Sequence, residues 1–271
     1  MKSPVVVKVG TSVLSTDGNL DKAAIDSIAR QASLSISETG LPIVIVTSGA
    51  ILAGISLLGW NAKPRDLDLT QKQVSAAVGQ PILIKMYIDS FGANGLTVAQ
   101  ILITEEDLMI KNCYNNFLHT IESLLRLNII PIINENDAVS VKELLNLNNI
   151  KNEVQFGDND RLSAIIAKGI GAKKLVLLTD VDGVYMIDGK EKKTLDIIEP
   201  NDKKIYDEVE GMSEFGRGGI KSKLDAAFIA SSAGIETYIV NGKKEGSMLR
   251  AIKGEKVGTK IVGKKQEFIN K

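Results

Sequence analysis

A lysine stands inside an otherwise β-branched apolar run, Val5-Val6-Val7-Lys8-Val9, and is followed at once by Gly10, Thr11 and Ser12. Burying an ammonium is costly unless an anion meets it, so this arrangement asks for an anionic partner. Far downstream, Gly216-Arg217-Gly218-Gly219-Ile220-Lys221-Ser222-Lys223 sets a second lysine on a glycine-rich turn that opens a helical pattern. Free backbone N–H groups, Arg217 and Lys223 at a helix start make a nest suited to a nucleotide's phosphates. Two lysines on two such cradles point to one phosphoryl group gripped from both sides.

Other polar groups fall where ligands gather in open α/β sheets, beyond the carboxyl ends of strands. Thr47-Ser48-Gly49-Ala50 follows one apolar run, Asn134-Glu135-Asn136-Asp137 another, and Thr179-Asp180 a third. Glycine and asparagine also serve as plain turn residues, and Ser48 could be an ordinary helix N-cap. Gly157-Asp158-Asn159-Asp160 opens a further helical pattern. Capping needs only one carboxylate, so Asp158 or Asp160 has a cation to meet.

The elements that must position these residues alternate along the chain. Short apolar runs predict strands at 4–9, 42–47, 97–102, 129–134, 174–179 and 236–241, with an edge strand at 258–263. Helical periodicity fills 21–39, 49–59, 71–94, 112–127, 159–169, 219–233 and 245–252. Strands this apolar on both faces belong in a sheet covered on each side. The expected fold is an open three-layer α/β/α sandwich with a mainly parallel central sheet. Residues 1–271 form one domain, with a soft lobe boundary near 170, and 142–156 and 186–204 read as polar loops.

Composition removes several function classes. Lys+Arg and Asp+Glu number 33 each, so the balanced charge disfavours nucleic acid as a partner. Residues 243–271 carry nine Lys/Arg and three Glu, which reads as a solvated basic face. No run is long enough to span a membrane, and the start is not a secretory signal, so a cytoplasmic location is expected. Cys113, the one cysteine, excludes an internal disulfide and sits at helical spacing with Phe117 and Ile121, as a packed thiol would. His119, the one histidine, has no nucleophile elbow to serve and reads as a helix-surface residue. The spacing Gly-x₄-Gly-Lys-Ser/Thr is missing, as is a Gly-x-Gly-x-x-Gly after the first strand, so neither a Walker loop nor a nicotinamide site is indicated.

Together these motifs, with Ala76-Ala77-Val78-Gly79-Gln80, resemble the amino acid kinase family over about residues 4–242. The strings Asn134-Glu135-Asn136-Asp137 and Gly157-Asp158-Asn159-Asp160 most resemble the branch that phosphorylates the γ-carboxylate of L-glutamate, the first step towards proline. That resemblance implies Lys8 and Lys223 flanking the transferring phosphoryl group, with Asp160 orienting both. It implies glutamate held by Ser48, Gly49, Ala50, Asn134, Asp137, Asp158 and Asn159, with Asp137 on the ammonium. ATP would be held by Lys8, Thr179, Asp180, Arg217, Gly218, Gly219, Ile220, Lys221, Ser222 and Lys223, with Mg²⁺ bridging its phosphates and no dedicated protein metal site. A homo-oligomer and feedback inhibition by proline are further family expectations.

Three departures stand out. The nucleotide loop carries Arg217 where the family has threonine, Ile220 in place of methionine, and an added Lys221. The stretch between Asp137 and Gly157 is long, and the chain stops at Lys271, so no C-terminal PUA domain is expected. Rival readings are a sister kinase acting on N-acetylglutamate, aspartate, carbamate or UMP, and a non-catalytic amino acid sensor. A carboxylate at Asp137 argues against an acetylated or phosphorylated acceptor, and the retained lysines with Asp160 argue against a sensor.

Overall fold

The structure, a computed structural model, describes residues 2–140, 159–188, 191–200, 202, 205 and 219–264. The chain opens with β1 (Val5–Val9), a small hairpin of β2 (Ser15–Thr16) and β3 (Asn19–Leu20), and α1 (Lys22–Thr39). Next come β4 (Ile43–Val46), α2 (Ala50–Leu58), α3 (Leu69–Gly92), β5 (Thr97–Ile103), α4 (Glu105–Met109), α5 (Lys111–Arg126) and β6 (Ile129–Glu135). The second half holds α6 (Asn159–Gly169), β7 (Lys174–Thr179), the hairpin β8 (Tyr185–Asp188) and β9 (Glu191–Thr194), and β10 (Ile197–Ile198). It finishes with α7 (Ile220–Ser232), β11 (Glu236–Asn241), α8 (Ser247–Lys253) and β12 (Thr259–Ile261).

Among the described residues, eight strands form one sheet in the spatial order β10-β12-β11-β7-β1-β4-β6-β5. Neighbouring strands within it run parallel, except β11 with β12. The central strand β1 is buried at all five positions, as a β-branched run flanked on both sides should be. Alternation splits it between two cores. Val5, Val7 and Val9 pack with Ile28, Tyr87 and Met248, so one layer contains α1, α3 and α8. Val6 packs with Phe117, Leu162 and Leu224, so the opposite layer contains α5, α6 and α7. Lys8 follows Val6 by two residues and therefore faces α6 and α7. That parity decides where the site forms.

Local sequence accounts for the helix ends that frame the cleft. Asp21 caps α1 by accepting from the Ala23 N–H, and Gly40 ends it at φ 64°. Asp68 and Gln71 form a reciprocal capping box at the start of α3. The α2–α3 pair is held close by two glycines. A Cβ on Gly54 would collide with the Ser75 carbonyl oxygen, and one on Gly79 with that of Ala50. Gly54→Ala should therefore cost about 1–3 kcal/mol through forced separation of the helices. Equilibrium urea unfolding measures this; an unchanged midpoint would show that α2 and α3 are not clamped together there.

Several expectations need correction. Residues 186–204 are not a plain loop: they carry the β8–β9 hairpin and β10, which joins the sheet beside β12. Strand alternation there is hidden by Lys, Asp and Glu. The loop at 142–156 lies outside the described residues. Cys113 is exposed rather than packed, because the buried stripe of α5 begins with the half-buried Tyr114 and continues through Phe117, Ile121 and Leu125. His119 is exposed, as a helix-surface residue should be. In the described part of the basic tail, Lys244, Lys253, Lys256 and Lys260 form surface ion pairs with Asp182, Glu38, Asp196 and Glu236, as a solvated face allows. No described helix is long and apolar enough to cross a membrane.

Candidate active site

Four adjacent strands, β7, β1, β4 and β6, run parallel and so deliver their carboxyl ends to one sheet edge. Thr179, Gly10, Thr47 and Asn136 sit at or just past those ends. Lys8 lies near the end of β1, and α6 and α7 bring Asp160 and Lys223 to it. Lys8 Nζ is 2.8 Å from Asp160 Oδ1, and Lys223 Nζ donates to Asp160 Oδ2 at 3.0 Å. The Ser222 hydroxyl also reaches Asp160 Oδ2, at 3.5 Å. Asp160 is fully buried, and both lysines are nearly so. Burial alone would raise its carboxyl pKa, but the ammonium groups of Lys8 and Lys223 outweigh burial and hold it below the ordinary 3.8. Two ammoniums and one carboxylate leave a net positive charge among the three groups, which favours an incoming polyanion.

On the β4–β6 side, Gly49 takes φ 110° at the start of α2, a conformation suited to glycine. The Ser48 hydroxyl does not cap α2; its partner is the Asn159 side-chain amide at 2.8 Å. Asn159 Nδ2 also lies 2.6 Å from the Thr47 carbonyl and 3.0 Å from Asn134 Oδ1. Its own Oδ1 is buried and has no hydrogen-bond partner among the described residues. Asn134 is fixed in turn by the Glu135 N–H, donating to its Oδ1 at 2.9 Å. A cleft of about 180 Å³ opens here, lined by Ser48, Gly49, Ala50, Asp137 and Asn159 among others. It adjoins a larger groove of about 610 Å³ that shares Ala50, Glu135 and Asp137 and runs along α3.

On the β7 side, Asp180 Oδ1 accepts from the Ser12 hydroxyl at 3.2 Å and from the Thr179 hydroxyl at 3.3 Å. The loop after β1 is thereby tied to the loop after β7. Gly219 precedes α7 without a side-chain cap, and Ile220, Lys221 and Ser222 form its first turn. Lys223, not the added Lys221, is the lysine bound to Asp160 through its ammonium. Asp158, Arg217 and Gly218 lie outside the described residues. The structure thus brings Lys8, Asp160 and Lys223 together, gathers Ser48, Gly49, Ala50, Asp137 and Asn159 around one cleft, and sets Asn134 just beneath it.

Sequence reasoning missed Thr11, which lines the smaller cleft, and Gln80, which supports it. Thr11 was legible as the hydroxyl after Lys8-Val9-Gly10. Gln80 gave one signal, its place at the end of the Ala76-Ala77-Val78-Gly79-Gln80 string, and its burial in α3 was not readable from that. A third buried lysine, Lys174, lines neither of these clefts. It lies at the opposite end of β7 and donates to the Ile252 carbonyl at 2.8 Å, at the C-terminal end of α8.

This sheet carries a lysine–aspartate–lysine cluster at its carboxyl edge, and residues 3–241 match the model of the amino acid kinase family. The chain belongs to that family. It is 39% identical over 268 residues to the glutamate 5-kinase of Rippkaea orientalis, covering 96% of this chain and 69% of that protein. Against the glutamate 5-kinase of Thermus thermophilus the identity is 41%, over 94% of this chain and 66% of the relative. The chain thus spans about two thirds of the length of these relatives. Among solved structures, UMP kinase from Bacillus anthracis superimposes with a TM-score of 0.61 at 17% identity, over 96% of each chain. An isopentenyl phosphate kinase gives 0.58 at 19%, over 95% of this chain and 99% of the other. Those two likenesses speak to the fold alone.

Proposed function

We propose that this protein transfers the γ-phosphoryl group of ATP to the γ-carboxylate of L-glutamate, giving L-glutamyl 5-phosphate and ADP. One observation carries the reading: the buried Lys8–Asp160–Lys223 cluster stands next in the chain to Asn159, which lines a small cleft with Ser48 and Asp137, in a chain about 40% identical to glutamate 5-kinases. The acceptor carboxylate has a pKa of about 4.3, so it is already ionised at neutral pH and needs no general base. Its oxygen attacks the γ-phosphorus in line, the bond to the β-γ bridging oxygen breaks, and ADP leaves with that electron pair. The protein's task is to align two anions and to neutralise charge on the transferring group.

Lys8 and Lys223 supply the positive charge from two sides, and Asp160 keeps both ammoniums aimed. Ser48, the Gly49–Ala50 backbone, Asn134, Asp137, Asp158 and Asn159 hold glutamate, with Asp137 facing the ammonium. Thr179, Asp180 and residues 217–223 hold ATP. Mg²⁺ enters as part of the Mg·ATP substrate, held mainly by phosphate oxygens and water; among the described residues no cluster of three His, Cys, Asp or Glu side chains could hold a metal. In this reading the part before about residue 170 is the acceptor side and the remainder the nucleotide side. A cytoplasmic location, a homo-oligomeric state and inhibition by proline belong to the same proposal.

The test is ADP release with Mg·ATP and each of L-glutamate, N-acetylglutamate, aspartate, carbamate and UMP, with hydroxylamine trapping of any acyl phosphate. Turnover with L-glutamate and a trapped hydroxamate are expected. Turnover with UMP alone would replace the acceptor in this reading.

A further inference from the structure

We infer that Gln80, on the middle of α3, is a positioning residue of the acceptor cleft that acts through the side-chain amide of Asn134. The inference deepens the proposed function, because it concerns how the same cleft is kept in shape.

Gln80 is only 9% exposed and Asn134 1%. Gln80 Oε1 accepts from Asn134 Nδ2 at 2.9 Å, a side chain–side chain bond between elements 54 residues apart in sequence. A buried amide can be turned end for end at little steric cost, so its orientation is decided by its hydrogen bonds. With Gln80 accepting at the Nδ2 end, Asn134 Oδ1 must face the Glu135 N–H and Asn159 Nδ2. Reversal would set an amide NH₂ against both of those donors.

The consequence reaches Asn159. Its NH₂ group has two hydrogens but three acceptors within 3.0 Å: the Thr47 carbonyl, Ser48 Oγ and Asn134 Oδ1. With Asn134 Oδ1 held in place it competes with Ser48 Oγ for the second hydrogen, and the Ser48 hydroxyl, which accepts from Asn159, keeps its own proton for a ligand in the cleft. Without Gln80, Asn134 Nδ2 loses its acceptor, the amide is held at its Oδ1 end alone, and Asn159 shifts its second hydrogen further towards Ser48. The neighbouring Gly79 sets the reach of this strut, since its missing Cβ lets α3 lie against the Ala50 backbone.

The test uses the full chain with Gln80→Met, which keeps length and volume but removes the acceptor, together with Asn134→Ala and the double variant. The KM of the acceptor that the wild type uses should rise about ten- to a hundredfold in Gln80→Met, with the KM of ATP unchanged. The double variant should fall no further than Asn134→Ala alone, because the two act as one unit. Equal rises in both KM values, or additive losses, would overturn the inference by making Gln80 merely a packing residue. A second readout needs no turnover and stands even if the acceptor is not glutamate. In the unliganded protein the ¹⁵N–¹H side-chain resonances of Asn159, whose hydrogen bonds go to Thr47, Ser48 and Asn134 rather than to Gln80, should move in Gln80→Met. Resonances that stay in place would sink the inference, whatever the acceptor.

Discussion

Lys8→Ala and Lys223→Ala each lower kcat by at least about 10²–10³-fold while the protein stays folded. The reason is local charge. The transferring group carries its negative charge on equatorial oxygens, and the two ammoniums, 2.8 and 3.0 Å from one carboxylate, are fixed before substrate arrives. An ammonium held by a buried partner needs no reorganisation in the transition state, whereas water replacing it must reorient. The loss should appear in kcat more than in the KM of glutamate, because the lysines act on the phosphoryl group rather than on the acceptor's ammonium. Steady-state ADP release, with circular dichroism to check the fold, measures it. Near-normal turnover in either variant would place phosphoryl transfer elsewhere.

Asp160→Asn should damage both activity and stability. The fully buried carboxylate holds two cations, and an amide in its place removes the negative charge that both ammoniums share. Breaking a buried ion pair by removing one partner costs about 3–5 kcal/mol. Turnover should fall with it, since neither lysine keeps its aim. The pH dependence gives a sharper check. The Lys8 and Lys223 charges overcome the effect of burial and depress the Asp160 pKa below 3.8 in the folded state. A depressed carboxylate pKa adds stability that is fully present above the unfolded value and is lost as pH falls through the folded one. The wild type's advantage over Asp160→Asn should therefore be constant from neutral pH down to roughly 4–5 and shrink below that. Urea unfolding at a series of pH values reads the difference. A gap that stays constant down to about pH 2 would mean that the carboxylate's charge is not what holds the lysines.

Much of the fold was legible because its signals are local. The valine run of β1, the Ile129–Glu135 segment and the amphipathic pattern of α5 carry periodicities that survive without knowledge of neighbours. Elements too short for a period were missed. Asp17 and Gly18 both take positive φ, at 52° and 78°, and close the two-residue loop between β2 and β3. That Asp-Gly pair was readable, but two-residue strands leave no alternation to flank it. Cys113 shows the opposite error. Its spacing with Phe117 and Ile121 fits a helical stripe, yet the stripe starts at Tyr114, and only the packing of α5 on the sheet decides which register is buried.

The candidate site divides in the same way. Residue type marked Lys8, because a charge within an apolar run demands a partner wherever it ends up, and a glycine-rich turn marked Lys223; between Asp158 and Asp160 only the family resemblance chose. Lys174 makes the limit plain: it is equally buried, and its partners are helix-end carbonyls rather than a cleft. Which carboxylate a lysine meets depends on the face its strand position presents and on the helices that cover that face, and both are long-range facts.

Composition and spacing by themselves determined the layered α/β class, the strand-end motifs and the need for anions at two lysines. Tertiary structure decided that Lys8 and Lys223 share one carboxylate, that Ser48 meets Asn159 instead of capping α2, and that Gln80 reaches Asn134. Propensity and periodicity act over a few residues, whereas a hydrogen bond between α3 and β6 exists only after the sheet order has brought them together.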